Sequence, residues 1–189
     1  ENIKSFIEKN INSPTFLADA LKEMNIQMVE MFQDLGTTAV IGCFSPNDHS
    51  FLFSNLGDSL AVLCRDEPIL LSKEHKVSDP AEAEMIEQSG GTIIRERLSG
   101  LLNISRFLGD GILSQSTCIE PYNQEITVQK GDKILLACDG IFDFLSNEDC
   151  TQIVKSAENA GDAAIRVRDE SYKRGSGDNL TTIVIEITK

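Results

Sequence analysis

A chain of 189 residues with a formal net charge of −13, from 30 acidic against 17 basic side chains, offers no excess of cations to nucleic acid or to an anionic membrane surface. Its 41% hydrophobic and 25% charged residues are an ordinary globular mix, enough for one domain with its own core over 1–189. No apolar run is long enough to span a bilayer, and the five cysteines (Cys43, Cys64, Cys118, Cys138, Cys150) contain no C-x-x-C pair, so they read as scattered reduced thiols of an intracellular protein and not as a zinc site.

The first third reads as helical. Ile3, Phe6, Ile7 and Ile11 fall on one helical face. Ser13 and Pro14 follow as N-cap and first helical residue, and Leu17, Leu21, Met24, Met28, Met31 and Phe32 make a second apolar stripe whose spacing predicts core packing. At Gly36 the period changes: TTAVIGCF, SFLFSN, SLAVLCR and PILLS are short, β-branched or alternating, and read as strands with hairpin turns at 45–48 and 65–68. Asp79, Pro80 and Glu82 have the spacing of N-cap, N1 and N3, which predicts a helix that Gly90 and Gly91 stop. ITVQKGDKILLAC reads as two strands around a Lys130-Gly131-Asp132 turn. Ser146 and Asp149 open a helix to about Ala157, another runs from Asp162 to Arg174, and LTTIVIEI closes the chain as a strand. Strands in hairpin-like runs that do not alternate with helices point to antiparallel sheets with helices packed outside.

Four aspartates stand at the mouths of these strands. Asp139 follows a strand that is apolar throughout, and Asp143 comes four residues later among Ile141, Phe142, Phe144 and Leu145. Asp178 lies in GSGDN before the last strand, and Asp58 in LGDS between two others. A buried charge needs a partner, a metal or water. Short carboxylates on rigid strand ends beside glycine suit hard cations such as Mg²⁺ or Mn²⁺, which take a few oxygens and fill the rest of their shell with water. Each aspartate by itself also fits a turn or helix cap.

Six segments, in order, resemble the protein phosphatase 2C family of metal-dependent serine/threonine phosphatases: GTTAV at 36–40, LGDSLAVL at 56–63, EHKVSDPAEAEMIEQSGGTI at 74–93, SGLLNISRFLGD at 99–110, LLACDGIFDFLSNED at 135–149 and GSGDNLTTIVI at 175–185. The resemblance implies an α+β fold, a four-layer α-β-β-α sandwich of two antiparallel sheets flanked by helices. It implies that Asp139 and Asp178 hold the core metal pair, Mg²⁺ or Mn²⁺, and that Asp58 and Asp143 belong to a further, weaker metal site. The implied activity is hydrolysis of phosphoserine or phosphothreonine on proteins by a metal-activated water, so no nucleophilic serine or cysteine is required. Phosphoprotein substrates are then the implied partners of a monomeric domain without membrane insertion.

The family's D-G-H-G-G motif is not in the sequence, which makes the expected fold N-terminally incomplete and leaves a pseudophosphatase, a protein-binding or regulatory module, as the alternative. No catalytic residue beyond the metal ligands is identified. Leu60 stands where the family has arginine, Phe142 where tryptophan is common, and Cys138 where serine or threonine is usual. His75 reads as structural, His49 as an exposed turn residue, Asp110 as a turn residue and Arg106 as an ion-pair partner. Cys138 reads as a buried strand-end thiol.

Overall fold

The computed structural model describes residues 3–10, 13 and 15–188. In chain order the elements are α1 (Ile3–Asn10), α2 (Phe16–Met31), β1 (Gly36–Thr37), β2 (Ala39–Ser45), β3 (Ser50–Leu56), β4 (Leu60–Cys64), β5 (Pro68–Leu70), α3 (Pro80–Gln88), β6 (Ile93–Ile94), β7 (Arg97–Leu98), β8 (Leu108–Gly109), a 3₁₀ turn (Ser114–Ser116), β9 (Tyr122–Thr127), β10 (Lys133–Ala137), α4 (Asp139–Phe142), α5 (Asn147–Ser156), α6 (Ala160–Lys173) and β11 (Thr182–Glu186). This is the expected α+β class, with antiparallel sheets and helices.

The chain divides into two compact units. The first comprises residues 1–41, 54–58 and 74–123. Its α3 starts as the sequence predicts: the Asp79 carboxylate accepts from Ala81 N at 2.9 Å, Pro80 sits in the first turn, and the helix ends before Gly90, whose φ of 82° only glycine adopts freely. Glu82, expected to complete a capping box, does something else. Its side chain is buried and accepts two hydrogen bonds from the Arg106 guanidinium, both 2.7 Å, and one from Ser105 Oγ, also 2.7 Å. A buried carboxylate with three charge-assisted or hydroxyl donors is fully matched, so Arg106 is the structural ion-pair partner expected of it. Leu21, Leu56 and Leu108 form one small core with Met24 and Met28 against it, whereas Val77, Ile86, Leu98, Phe107 and Leu113 form another.

Helix α2 begins at Phe16, with Thr15 at its N-cap, later than the predicted start at Pro14, which with Ile11 lies outside the described residues. Asp19 reaches back to accept from Ser13 Oγ and Thr15 Oγ1, both at 2.9 Å, which ties the residues before the helix to its first turn. The apolar stripe also ends early. Met31 is 70% exposed and Phe32 is exposed, because the helix runs past the core it packs against. Buried Asn25 takes a place in that face, and its Oδ1 accepts from Gly109 N at 2.8 Å.

The second unit comprises residues 42–53, 59–73 and 124–189. Its main sheet has the order β11-β10-β4-β5, antiparallel throughout. A three-stranded sheet has the order β2-β3-β9. The turn at Lys130-Gly131-Asp132 therefore does not close a hairpin: β9 and β10 belong to different sheets, and Gly131 with φ of 91° hands the chain from one to the other. In β10, Leu135 and Ala137 join Val62 of β4 in a core with Ile141, Cys150, Val154, Ala163 and Val167 from α4, α5 and α6 and with Leu145 from the turn between α4 and α5. Truncating one of the larger of these side chains to alanine costs about 2–5 kcal/mol. Ser146 and Asp149 form the predicted capping box of α5, and α6 starts two residues before its predicted position because Asn159 caps it, accepting from Asp162 N at 3.0 Å.

Candidate metal centre

Strand register decides what lies at the end of the main sheet. Ala137 of β10 pairs with Thr182 of β11 and with Leu60 of β4, all in antiparallel ladders. Asp139 comes two residues after Ala137, and Asp178 four residues before Thr182. The two turns that carry these carboxylates are therefore neighbours by construction, since adjacent antiparallel strands start and stop at the same edge.

Three further observations fix the turns to one another. Cys138 N donates to Thr181 O at 3.3 Å, Cys138 Sγ donates to Asn179 O at 3.1 Å, and Thr181 N donates back to Cys138 Sγ at 3.2 Å. The thiol, expected to be buried at its strand end, is half-buried and bridges the two loops. Gly140 admits no side chain: a Cβ built there would lie 2.4 Å from Asn179 O and 3.2 Å from Asp178 Cβ. The Gly140 carbonyl accepts from two buried hydroxyls, Ser171 Oγ at 2.7 Å and Ser176 Oγ at 2.9 Å. One carbonyl is thereby tied both to α6 and to the GSGD turn.

The carboxylates themselves face backbone N–H groups and no cationic side chain among the described residues. Asp139, half-buried at the start of α4, accepts from its neighbour Gly140 N at 2.8 Å, and exposed Asp178 accepts from Asn179 N at 2.6 Å. Among the described residues neither has an ion-pair partner. Asp143 is exposed one helical turn after Asp139, and its N–H donates to Asp139 O at 2.8 Å. Asp58 is buried and belongs to the first unit, so it is not gathered with the other three inside one unit. No group of three or more histidine, cysteine, aspartate or glutamate side chains stands at metal-holding spacing among the described residues. The donor set still fits a hard cation. Mg²⁺ is held by as few as one or two protein carboxylates, with water and substrate oxygens completing its shell. Two uncompensated carboxylates on locked, adjoining turns meet that requirement.

The remaining candidates are structural. His75 is fully buried, and its Nδ1 faces Gly57 N at 3.2 Å. His49 is exposed in its hairpin turn with φ of 50°. Asp110, with φ of 46°, accepts from Leu113 N at 3.2 Å. The sequence reading missed Ser171 and Ser176. A signal for the first existed: Ala163, Val167 and Ser171 repeat every four residues, so this serine lies on the buried stripe of α6.

The model of the family described as protein phosphatase 2C matches residues 2–180. The chain belongs to that family. Protein phosphatase 2C homolog 1 of Schizosaccharomyces pombe is 31% identical over 200 residues, covering 98% of this chain and 58% of that protein. Mouse protein phosphatase 1B is 36% identical over 165 residues, covering 79% of the chain and 42% of that relative. The chain spans about half the length of the curated relatives it matches. A solved C. elegans sex determining protein superposes with a TM-score of 0.85 at 24% identity, covering 97% of this chain and 50% of its own. The catalytic domain of the serine/threonine protein phosphatase PstP, solved in complex with two manganese ions, superposes with a TM-score of 0.67 at 21% identity over 99% of this chain and 79% of its own. These structures share the fold.

Proposed function

We propose that the whole protein removes phosphate from phosphoserine and phosphothreonine of phosphoproteins, with Mg²⁺ or Mn²⁺ held by Asp139 and Asp178 and with Asp143 and Asp58 as further ligands. The observation that carries this reading is the pair of carboxylates without cationic partners on turns that three loop-to-loop hydrogen bonds and a side-chain-free Gly140 hold together. Bound divalent cations supply an acidified water and positive charge opposite the phosphoryl oxygens. Asp139 and Asp178 provide the fixed anionic oxygens that such ions need. Ser171 and Ser176 keep the Gly140 carbonyl, and with it the Asp139 turn, from rotating away. We take 1–189 as one domain, since the chain passes back and forth between its two units five times. Five free thiols support an intracellular setting. Among the described residues no helix is long and apolar enough to cross a membrane. No specific observation favours the non-catalytic alternative. Calorimetry with Mn²⁺ on the whole protein tests the assignment: binding is expected to be lost or much weakened in Asp139→Asn and in Asp178→Asn, together with turnover of a phosphoserine peptide. Unchanged binding in both variants overturns it.

A further inference from the structure

The other end of the main sheet carries a second feature, in which cations predominate. Cys64 pairs with Lys133 at the edge opposite Leu60 and Ala137. A cavity of about 460 Å³ opens there, with Arg65, Lys130, Lys133 and Lys155 against only Asp66 and Asp132 among its charged lining. Such a concentration of cations is out of keeping with a chain whose net charge is −13.

The pairings already in place decide what is free to act. Asp132 is buried and grips one edge of the Arg65 guanidinium, with Nε donating at 2.9 Å and Nη2 at 2.7 Å. That grip orients Arg65, Nη2 also donates to Thr127 O at 3.4 Å, and Nη1 has no partner among the described residues. Lys133 Nζ donates to Val154 O at 3.2 Å and Ala157 O at 3.3 Å, so it is spent on the end of α5. Among the described residues Lys155 is bound only by Asp66, at 2.8 Å, and that carboxylate is fully exposed, which makes the pair weak and exchangeable. Lys130 stands exposed at the tip of the turn beside Gly131, with no ion pair among the described residues.

We propose that this cavity is a binding site for a phosphate dianion. A pre-oriented guanidinium flanked by two replaceable ammonium groups is the donor set that phosphate oxygens recognise. The cavity is also within the size range of small-ligand sites. The ligand displaces Asp66 from Lys155, takes Lys130 as a second cation, and engages Nη1 of Arg65. The dianion comes either as free phosphate or on a phosphorylated peptide, and both share this chemistry. The site is separate from the carboxylate turns, so the proposal stands without the metal reading.

The test uses the whole protein in EDTA, which removes phosphate binding that depends on a metal. Inorganic phosphate and a phosphoserine peptide are titrated by calorimetry, with amide shifts followed by NMR. Saturable binding is expected, with the largest shifts over residues 129–133 and at Lys155. Lys130→Gln and Lys155→Gln, both exposed and with melting temperatures checked against the parent, are each expected to weaken it about tenfold. Asp139→Asn is expected to leave it unchanged. Tighter binding of the peptide than of inorganic phosphate identifies the peptide as the source of the dianion, and equal affinity identifies free phosphate. Absence of saturable binding, binding insensitive to both lysine variants, or binding lost in Asp139→Asn each overturns the proposal.

Discussion

The two ends of the β4-β10-β11 sheet are built from similar parts and do opposite things. At one end Asp132 follows a glycine in a tight turn, is buried, and meets Arg65 through two donors. Burial pushes its carboxyl up, but the Arg65 hydrogen bonds and the Gln129 N–H outweigh that and hold its pKa below the usual carboxylate range. At the other end Asp139 precedes a glycine, Asp178 follows one, and both turn their oxygens toward neighbouring N–H groups without any cation. The difference teaches where to look for function. A charge that folding has matched is part of the scaffold. A charge that the scaffold holds rigidly but leaves unmatched is available for a ligand, and its repulsion from a neighbouring like charge is relieved when that ligand binds.

Substitutions at the two ends sharpen this contrast, and the largest separation is expected between Asp139 and Asp132. Asp139→Asn and Asp178→Asn are each expected to lower metal-dependent hydrolysis by roughly a hundredfold or more while the metal-free melting temperature holds or rises. Asp132→Asn is expected to do the reverse, costing about 1–3 kcal/mol of stability in a denaturant melt because Arg65 loses its partner, with turnover retained. If Asp132→Asn abolishes turnover in a folded protein, the division between scaffold and ligand carboxylates fails. Gly140→Ala comes next. Its Cβ would meet Asn179 O, so the carboxylate turns must separate, and about 1–3 kcal/mol of destabilisation with weaker Mn²⁺ binding is expected. A smaller effect attaches to Ser171→Ala and Ser176→Ala, each about 1 kcal/mol. The double variant is expected to lose more than both singles together, since only then is the buried Gly140 carbonyl left without a donor.

Much of this architecture was legible in the sequence because its signals are local. Asp79-Pro80, Ser146 with Asp149, and the glycines that end helices announce themselves within four residues. The strands do so by their β-branched runs. What could not be read was non-local. Nothing in ITVQKGDKILLAC says that β9 and β10 enter different sheets, because the partners that separate them, β3 and β4, lie about 70 residues earlier. Glu82 has the spacing of a capping box, yet Arg106 and Ser105, more than 20 residues away, claim it. The carboxylate turns were legible as a family pattern, but the hydroxyl clamp on Gly140 was not. The four-residue repeat of α6 marks Ser171 as buried without naming its partner, and Ser176 in a glycine-rich turn looks solvent-exposed until the fold brings one carbonyl between them.

The smallest expected effect is a pH dependence that belongs to the scaffold alone. Asp149 accepts from both terminal nitrogens of Arg174, at 2.7 Å and 3.0 Å, and also from Ser146 N at 3.1 Å. The Arg174 hydrogen bonds, with the Ser146 N–H second, hold its carboxyl at about 2, below the 3.8 of an unperturbed aspartate. A folded-state pKa below the unfolded one means the unfolded chain takes up the proton first as pH falls. The contribution is therefore complete above about 3.8, and it fades as pH drops toward about 2. Thermal melts of the parent and of Asp149→Asn should differ most at neutral pH and converge across that window, with the parent the more stable above it. Salt should narrow the gap, because both side chains are partly exposed and screening weakens such pairs. Metal should leave it untouched, since this pair lies apart from the carboxylate turns. A gap between the two melting curves that widens in acid, or that opens only when Mn²⁺ is present, would place Asp149 among the ligand carboxylates and erase the distinction between matched and unmatched carboxylates.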